Sequence, residues 1–219
     1  MLGEKAFATL MMGAPLDQGV RILLIEEQPA TSRGLAAAIH QAIPAAAVAT
    51  ANSGSEARTL MAERPFSLIL FDFSLPGEGG LAGLMALLKA APDSPVLVVC
   101  ARCDSLTDSI LRSLKVAGVV AKADPLDVIT AAVRRILASE TVFPDPDHAP
   151  ESMAADFSQA QLRVLAALGT GQLNEQIAGD LGVTEATIKA HLSAIFRKLG
   201  VTNRTQAMLR ARTLFAHAA

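Results

Sequence analysis

Between residues 20 and 138, short apolar runs alternate five times with amphipathic stretches, and this alternation restricts the fold more than any other feature of the sequence. The runs are VRILLI (20–25), AAAVAT (45–50), SLILFDF (67–73), SPVLVVC (94–100) and VAGVVA (116–121). Continuous apolar runs of this length, bounded by polar and turn residues, predict strands buried on both faces. Between and after them the spacing predicts helices near 31–43, 55–62, 80–91, 106–117 and 126–138. Two of these open on the capping-box pairs Ser53…Glu56 and Ser105…Asp108. Five βα units of this kind make an α/β domain, a doubly wound parallel sheet covered by helices, with its functional edge at the carboxyl ends of the strands.

The pattern stops at residues 139–155, SETVFPDPDHAPESMAA, where three prolines and four acids replace apolar periodicity. Each proline fixes φ and removes a donor, so the segment reads as a linker. Downstream no strand signal remains. Helical patterns cover about 158–169, 174–181, 185–199 and 203–216, separated by Gly171, Gly182 and Gly200, and the first opens on the capping box Ser158…Gln161. The division predicted is an extension at 1–19, an α/β domain at 20–138, a linker at 139–155 and an all-α domain at 156–219. Charge divides the same way: 20–138 balances 11 Lys/Arg against 11 Asp/Glu, whereas 156–219 carries seven bases against four acids. The basic part is the helical one, which points it towards an acidic partner.

No run approaches the ~18 apolar residues of a membrane-spanning helix, and the first twenty residues, interrupted by Glu4, Lys5 and Asp17, lack a signal-peptide pattern. A cytoplasmic protein without a membrane partner is expected. Two cysteines, Cys100 and Cys103, are too few for a disulfide framework. The chain has no Trp, no Tyr and eight Phe, which argues against a base-stacking surface for single strands. Residues 1–19 fit neither domain; with Met11 and Met12 among them, a misassigned start, a small extra helix and a functional arm all stay open.

The pair 174–181 and 185–199, joined by Gly182-Val183-Thr184, has helix-turn-helix spacing, with Thr184 placed to cap the second helix. On that helix Ile188, Leu192, Ile195, Phe196 and Leu199 repeat along one buried face, leaving Lys189, Ser193 and Arg197 on the outer one. A capped helix start with a lysine in its second turn offers donors and positive charge to a major groove. An ordinary helical hairpin would share the pattern. The segment FSQAQLRVLAALGTGQLNEQIAGDLGVTEATIKAHLSAIFRKLGVTNRTQA, with its T-x-K-x-H and K-L-G-V-x-N-R-x-x-A patterns, resembles the DNA-binding domain of LuxR/FixJ (NarL) type regulators. The resemblance implies Thr184 and Thr187 as backbone or phosphate contacts, and Lys189, Ala190 and Ser193 as the groove-facing set. It also implies Asn174, Arg197 and Lys198 as phosphate contacts and Arg204 as a brace for the last helix. His191 is either structural or a DNA contact. In this family the last helix often pairs two subunits, implying a homodimer on double-stranded promoter DNA; Ala207, Met208, Ala211, Leu214 and Phe215 supply the surface, or pack inward.

In the α/β part, LILFDFSLPG places Asp72 at the carboxyl end of the third strand, Glu26 and Glu27 end the first, and Lys122 follows the fifth. With the D-x-x-x-P-G spacing of Asp72, Pro76 and Gly77, residues 20–138 resemble a two-component receiver domain, of flavodoxin-like fold. The resemblance implies Asp72 as phosphoacceptor, supplied by a histidine kinase, with Glu26, Glu27 and Asp72 holding Mg²⁺. Lys122 and the residue at Cys100 would contact the phosphoryl group. A carboxylate attacks phosphorus poorly unless cations neutralise the charge between them.

Three departures mark the receiver as atypical. Glu26-Glu27 stands where the family usually has Asp, and each extra methylene disturbs the octahedron that Mg²⁺ demands. Cys100 replaces Ser or Thr, and a thiol is the weaker donor. Val119 sits where the switch aromatic usually lies. Cys100-Ala101-Arg102-Cys103 also suggests a redox switch, since Arg102 and a following helix start favour thiolate; buried packing is the plainer reading. No hydrolytic constellation occurs, and the glycines of PGEGGL are not followed by the Lys-Ser/Thr of a nucleotide loop. The expectation is a transcriptional response regulator, not an enzyme, controlled by phosphorylation at Asp72. The alternative is a phosphorylation-independent regulator whose receiver serves dimerisation, partner binding or thiol redox.

Overall fold

The computed structural model describes residues 19–76, 78–101, 105–144 and 157–215, without the side chains of Ser105, Leu106 and residues 212–215. The α/β part runs β1 (Arg21–Ile25), α1 (Pro29–Ala42), β2 (Ala47–Ala51), α2 (Gly54–Glu63), β3 (Leu68–Asp72), α3 (Gly80–Ala90), β4 (Val96–Cys100), α4 (Ser105–Ser113), β5 (Gly118–Ala121) and α5 (Leu126–Leu137). The helical part runs α6 (Gln159–Gly169), α7 (Asn174–Leu181), α8 (Glu185–Leu199) and α9 (Arg204–Phe215). The five strands form one sheet in the order β2-β1-β3-β4-β5, with every pairing parallel.

Alternation along the strands divides the core in two. Ile22, Leu24, Leu68, Leu70, Leu97, Val99 and Val120 face α1 and α5. Leu23, Ile25, Ile69, Phe71, Val98, Cys100 and Val119 face α2, α3 and α4. With both faces covered, β3 and β4 are buried at every position, which is why their sequences read as unbroken apolar runs. The strand order reverses between β1 and β3, so a crevice opens at their carboxyl ends, between the turns that follow.

Local chemistry sets the helix ends. Pro29 starts α1 at a position where its missing N–H costs nothing. Ser53 Oγ caps α2 by accepting from Glu56 N, but Glu56 reaches back to Asn52 N, one residue beyond the expected partner. Ser158 and Gln161 form the reciprocal box at α6. The helix expected at 106–117 stops at Ser113: Leu114 N is shared between the carbonyls of Ile110 and Leu111, Lys115 N turns to Arg112 O, and Lys115 goes over to φ 57°. The Ser105 cap falls on a side chain outside the described residues.

Gly182 ends α7 at φ 65° and Gly200 ends α8 at φ 64°, the left-handed geometry that closes a helix. Thr184 Oγ1 then accepts from Thr187 N at 3.2 Å, starting α8. Ile177, Ile188, Leu192, Ile195 and Leu199 pack with Leu162, Leu165 and Leu168 of α6 into the core of the helical part. α9 adds Ala207 and Ala211, both fully buried, and packs on α6, α8 and, across the two parts of the chain, on α3.

A Cβ at Gly182 would meet nothing within 4 Å, so the cost of a side chain there is purely conformational. Gly182→Ala is expected to destabilise the helical part by about 1 kcal/mol, read as a lower urea midpoint. An unchanged midpoint would mean that the turn does not require the left-handed conformation.

Candidate functional site

Because β1, β3, β4 and β5 lie side by side, their carboxyl ends bring Glu26, Asp72 and Lys122 together, with Cys100 ending the strand between β3 and β5. Glu26 and Asp72 are 3% and 4% exposed, two carboxylates where burial is expensive. Lys122 Nζ lies 2.6 Å from Glu26 Oε2 and donates to Asp72 Oδ2 at 3.0 Å. The first contact is poorly angled for a hydrogen bond, leaving Glu26 Oε2 without one, but at that distance charge attraction holds it. Backbone amides serve the remaining oxygens: Gln28 N donates to Glu26 Oε1 and Ser74 N to Asp72 Oδ1, each at 2.9 Å. Burial pushes the Lys122 ammonium down, but the close contacts and negative charges of Glu26 and Asp72 outweigh this and hold it above its ordinary value. The pocket thus contains a fixed cation bridging two fixed anions.

Glu27 does not join them; it is exposed. Among the described residues no three Asp, Glu, His or Cys side chains come together as a metal-binding group. The trio Glu26, Glu27 and Asp72 expected to hold Mg²⁺ is therefore not assembled: Glu26 is turned to Lys122, and Glu27 follows the strand on the opposite side of the alternation. The ammonium stands between the two buried carboxylates, so the arrangement is not that of a Mg²⁺ cage.

Cys100 is fully buried at the end of β4, its Sγ 3.6 Å from Val120 O, and is disulfide-bonded. Cys103 and Arg102 lie outside the described residues, as does Gly77. Val119 is buried between β4 and α4.

One residue at this edge escaped sequence reasoning. Glu78, in the turn between Asp72 and α3, accepts from Gly54 N at 2.5 Å, Ser55 N at 3.3 Å and Arg58 Nη2 at 3.0 Å. It ties the turn after Asp72 to the first turn of α2. A Cβ at Gly54 would stand 2.9 Å from Glu78 Oε2, so glycine permits the approach. No motif announces such a contact, since it joins residues 24 apart.

On the helical part, Thr184, Lys189, Ala190, Ser193 and Arg197 are exposed along α8, and Thr187 is half-buried. Thr184 and Thr187 share a hydroxyl contact of 2.9 Å, and Ser193 Oγ donates back to Lys189 O. Lys189 Nζ sits 3.7 Å from Glu185 Oε2, an exposed i,i+4 pair that a phosphate could displace cheaply. The other two expected phosphate contacts are engaged within the domain. Lys198 Nζ donates to Gln161 Oε1 at 2.8 Å and lies 5.1 Å from the centre of the Phe157 ring. Asn174 Oδ1 accepts from Arg204 Nη1 at 2.9 Å, while Arg204 Nη2 donates to Gln172 O, so Arg204 braces α9 against the entry to α7.

A family model described as "Response regulator receiver domain" matches residues 22–134, and one described as "Bacterial regulatory proteins, luxR family" matches residues 155–211. The chain belongs to the LuxR-type response regulators. The "Glycerol metabolism activator" of Pseudomonas putida is 32% identical over 87% of this response regulator and 94% of the relative. The "Nitrate/nitrite response regulator protein NarP" of Escherichia coli is 25% identical over 86% and 93%. Among solved structures, RcsB from Salmonella enterica serovar Typhimurium bound to promoter rprA aligns with a TM-score of 0.62 at 18% identity, covering 89% of this chain and 99% of that one. The response regulator is accordingly a DNA-binding transcriptional regulator built from a receiver and a LuxR-type domain. No helix among the described residues is long and apolar enough to cross a membrane.

Burial raises the Glu78 carboxyl, but Arg58 and the Gly54 and Ser55 amides outweigh this and hold it below the usual carboxylate range. A folded-state value below the unfolded one gives stability that is present at neutral pH and lost as pH falls through the folded value. Glu78→Gln is expected to cost about 1 kcal/mol near neutrality, with the gap from wild type closing in acid. Urea titrations across pH measure it; a gap independent of pH would remove the charge from the explanation.

Proposed function

We propose that Asp72 accepts a phosphoryl group and that this charge controls promoter binding by the helical domain. The observation that carries the reading is Asp72 buried at the end of β3 with its Oδ2 3.0 Å from the Lys122 ammonium. In the transfer, an Asp72 oxygen forms a bond to phosphorus as the donor's bond to phosphorus breaks and the donor departs with the electron pair. The donor is a kinase phosphohistidine or a small acyl phosphate. Lys122 is already charged and in place, so it offsets the added negative charge by moving between oxygens rather than being recruited from solvent. Receiver domains generally bind Mg²⁺, but the set Glu26, Glu27 and Asp72 is not arranged for it here, and no step is assigned to the metal.

Output rests on α8. Lys189, Ala190 and Ser193 face the groove, with Ala190 offering only a methyl contact, while Thr184, Thr187 and Arg197 address the backbone. Asn174 and Lys198 would join them only by giving up their present partners. The protein works in the cytoplasm as a homodimer on double-stranded promoter DNA, is not an enzyme, and receives its signal from a histidine kinase. Its working parts are the receiver at 20–138, the linker at 139–155 and the DNA-binding domain at 156–219. The sulfur at Cys100 favours a second reading, control by thiol oxidation beside the same pocket.

Intact mass after incubation with acetyl phosphate, with and without Mg²⁺ and with and without reductant, tests both readings. A phosphoryl adduct on wild type, absent from Asp72→Asn and accompanied by changed DNA affinity, is the expected result. No adduct from the small donor or from any candidate kinase overturns phosphorylation; DNA affinity that then follows the reductant establishes the thiol reading. For the interface, Lys189→Ala is expected to weaken binding to all duplexes and to lower the slope of log K against log salt by about one. A slope left unchanged would remove Lys189 from the phosphate contacts.

A further inference from the structure

The segment assigned to the linker does not leave the receiver at residue 138. Glu140 N donates to Arg135 O, and the Glu140 carboxylate pairs with Arg135 Nε at 2.8 Å, turning the chain back along the sheet. Val142 then lies beside Gly118 as a parallel bridge on the free edge of β5: Val142 N donates to Ala117 O at 2.9 Å, and Val119 N to Val142 O at 2.8 Å. Val142 packs on the α1/α5 side of the core and Phe143 on the α2/α3/α4 side. The guanidinium of Arg112, on α4, stacks 4.1 Å from the centre of the Phe143 ring and donates from Nη2 to Pro144 O at 3.2 Å. Asp108, one turn earlier, fixes that guanidinium through Nε at 2.7 Å.

Two features show that the edge is built for this strand. A Cβ at Gly118 would stand 2.5 Å from Val142 O, an atom of the backbone that cannot swing aside, so the bridge requires glycine there. The helix that grips Phe143 and Pro144 is the one that follows β4, whose end lies beside the acid pocket: Phe73 N donates to Val99 O, and Lys122 N to Cys100 O.

We propose that Val142, Phe143 and Pro144 form a clip that makes α4 set the length of the tether to the DNA-binding domain. With the clip closed, the receiver holds the chain as far as Pro144. When α4 shifts, Arg112 releases Phe143 and Pro144, the bridge at Val142 loses its support, and residues 139–144 join the connection. Six residues at roughly 3.5 Å each add about 20 Å of reach, a length comparable with the ~34 Å separating half-sites one helical turn apart. The clip thus governs whether two DNA-binding domains of a dimer can occupy both half-sites. This inference rests on the receiver controlling DNA binding, and not on phosphorylation as the trigger.

The test uses the full chain without any phosphodonor. Arg112→Ala removes the stacking and the bond to Pro144 from an exposed position, and Gly118→Ala expels the strand from the other side. Amide exchange at Val119 and Val142, with Leu70 as an internal reference, reports the clip. Binding to mixed-sequence duplexes at low salt, one long enough for two domains and one for a single domain, reports the reach. Expected for both variants are exchange at Val119 and Val142 faster by about tenfold and a long-to-short affinity ratio raised by about threefold. Unchanged exchange in Arg112→Ala overturns the clip. Faster exchange with an unchanged ratio overturns its coupling to DNA, and because no donor is present neither outcome can be confused with failure of Asp72 to accept phosphate.

Discussion

Lys122 stands between the two carboxylates that the receiver buries, and the carboxyl edge of the sheet depends on that placement. Glu26 and Asp72 would each cost several kcal/mol if left ionised and unpaired away from water. One ammonium reaches both because β1 and β3 are adjacent and β5 ends two strands away, so a lysine just past β5 spans the crevice. With both carboxylates ionised, the pocket is one positive charge short of neutral. The amides of Gln28 and Ser74 donate to the oxygens that Lys122 does not reach, so fixed dipoles share the excess negative charge.

The same interaction separates this receiver from its resemblance. A metal-holding site needs carboxylates turned towards a common point, and here Glu26 points to Lys122 while Glu27 points outward. Lys122 is held by both buried carboxylates at once, which fixes its ammonium at the carboxyl edge of the sheet. Glu78 tightens the other side, because pinning the turn after Asp72 to α2 holds Ser74 N on the Asp72 carboxylate.

The apolar runs placed the strands, most plainly β3 and β4, which are buried on both faces and whose one polar residue is Asp72 at the carboxyl end of β3; β2, at the sheet's edge, is only partly covered. The glycine punctuation placed α7 and α8 because Gly182 and Gly200 take the left-handed conformation that closes a helix. What could not be read was long-range. The end of α4 depends on Lys115 adopting a positive φ, which its residue type does not signal. Residues 139–144 have linker composition yet complete the sheet edge, a fact written in Gly118 rather than in the segment itself. Asn174 and Lys198 carry the right groups for phosphate, but Arg204 and Gln161 claim them first, and such competition between partners is decided only by the tertiary structure.

These contacts also locate the restraint on DNA binding. A receiver that silenced its partner by covering α8 would bury Lys189, Ala190 and Ser193, whereas all three are exposed. The element that packs on the receiver is α9, on α3, with Ala207 and Ala211 fully buried. That answers, for these two residues, whether the last helix turns inward. Docked in this way, α9 has part of its surface covered by α3, while the outer face of α8 stays open. Since paired domains gain affinity from effective concentration rather than from new contacts, a receiver can regulate such a domain by controlling its docking and tether while leaving the groove-reading surface untouched.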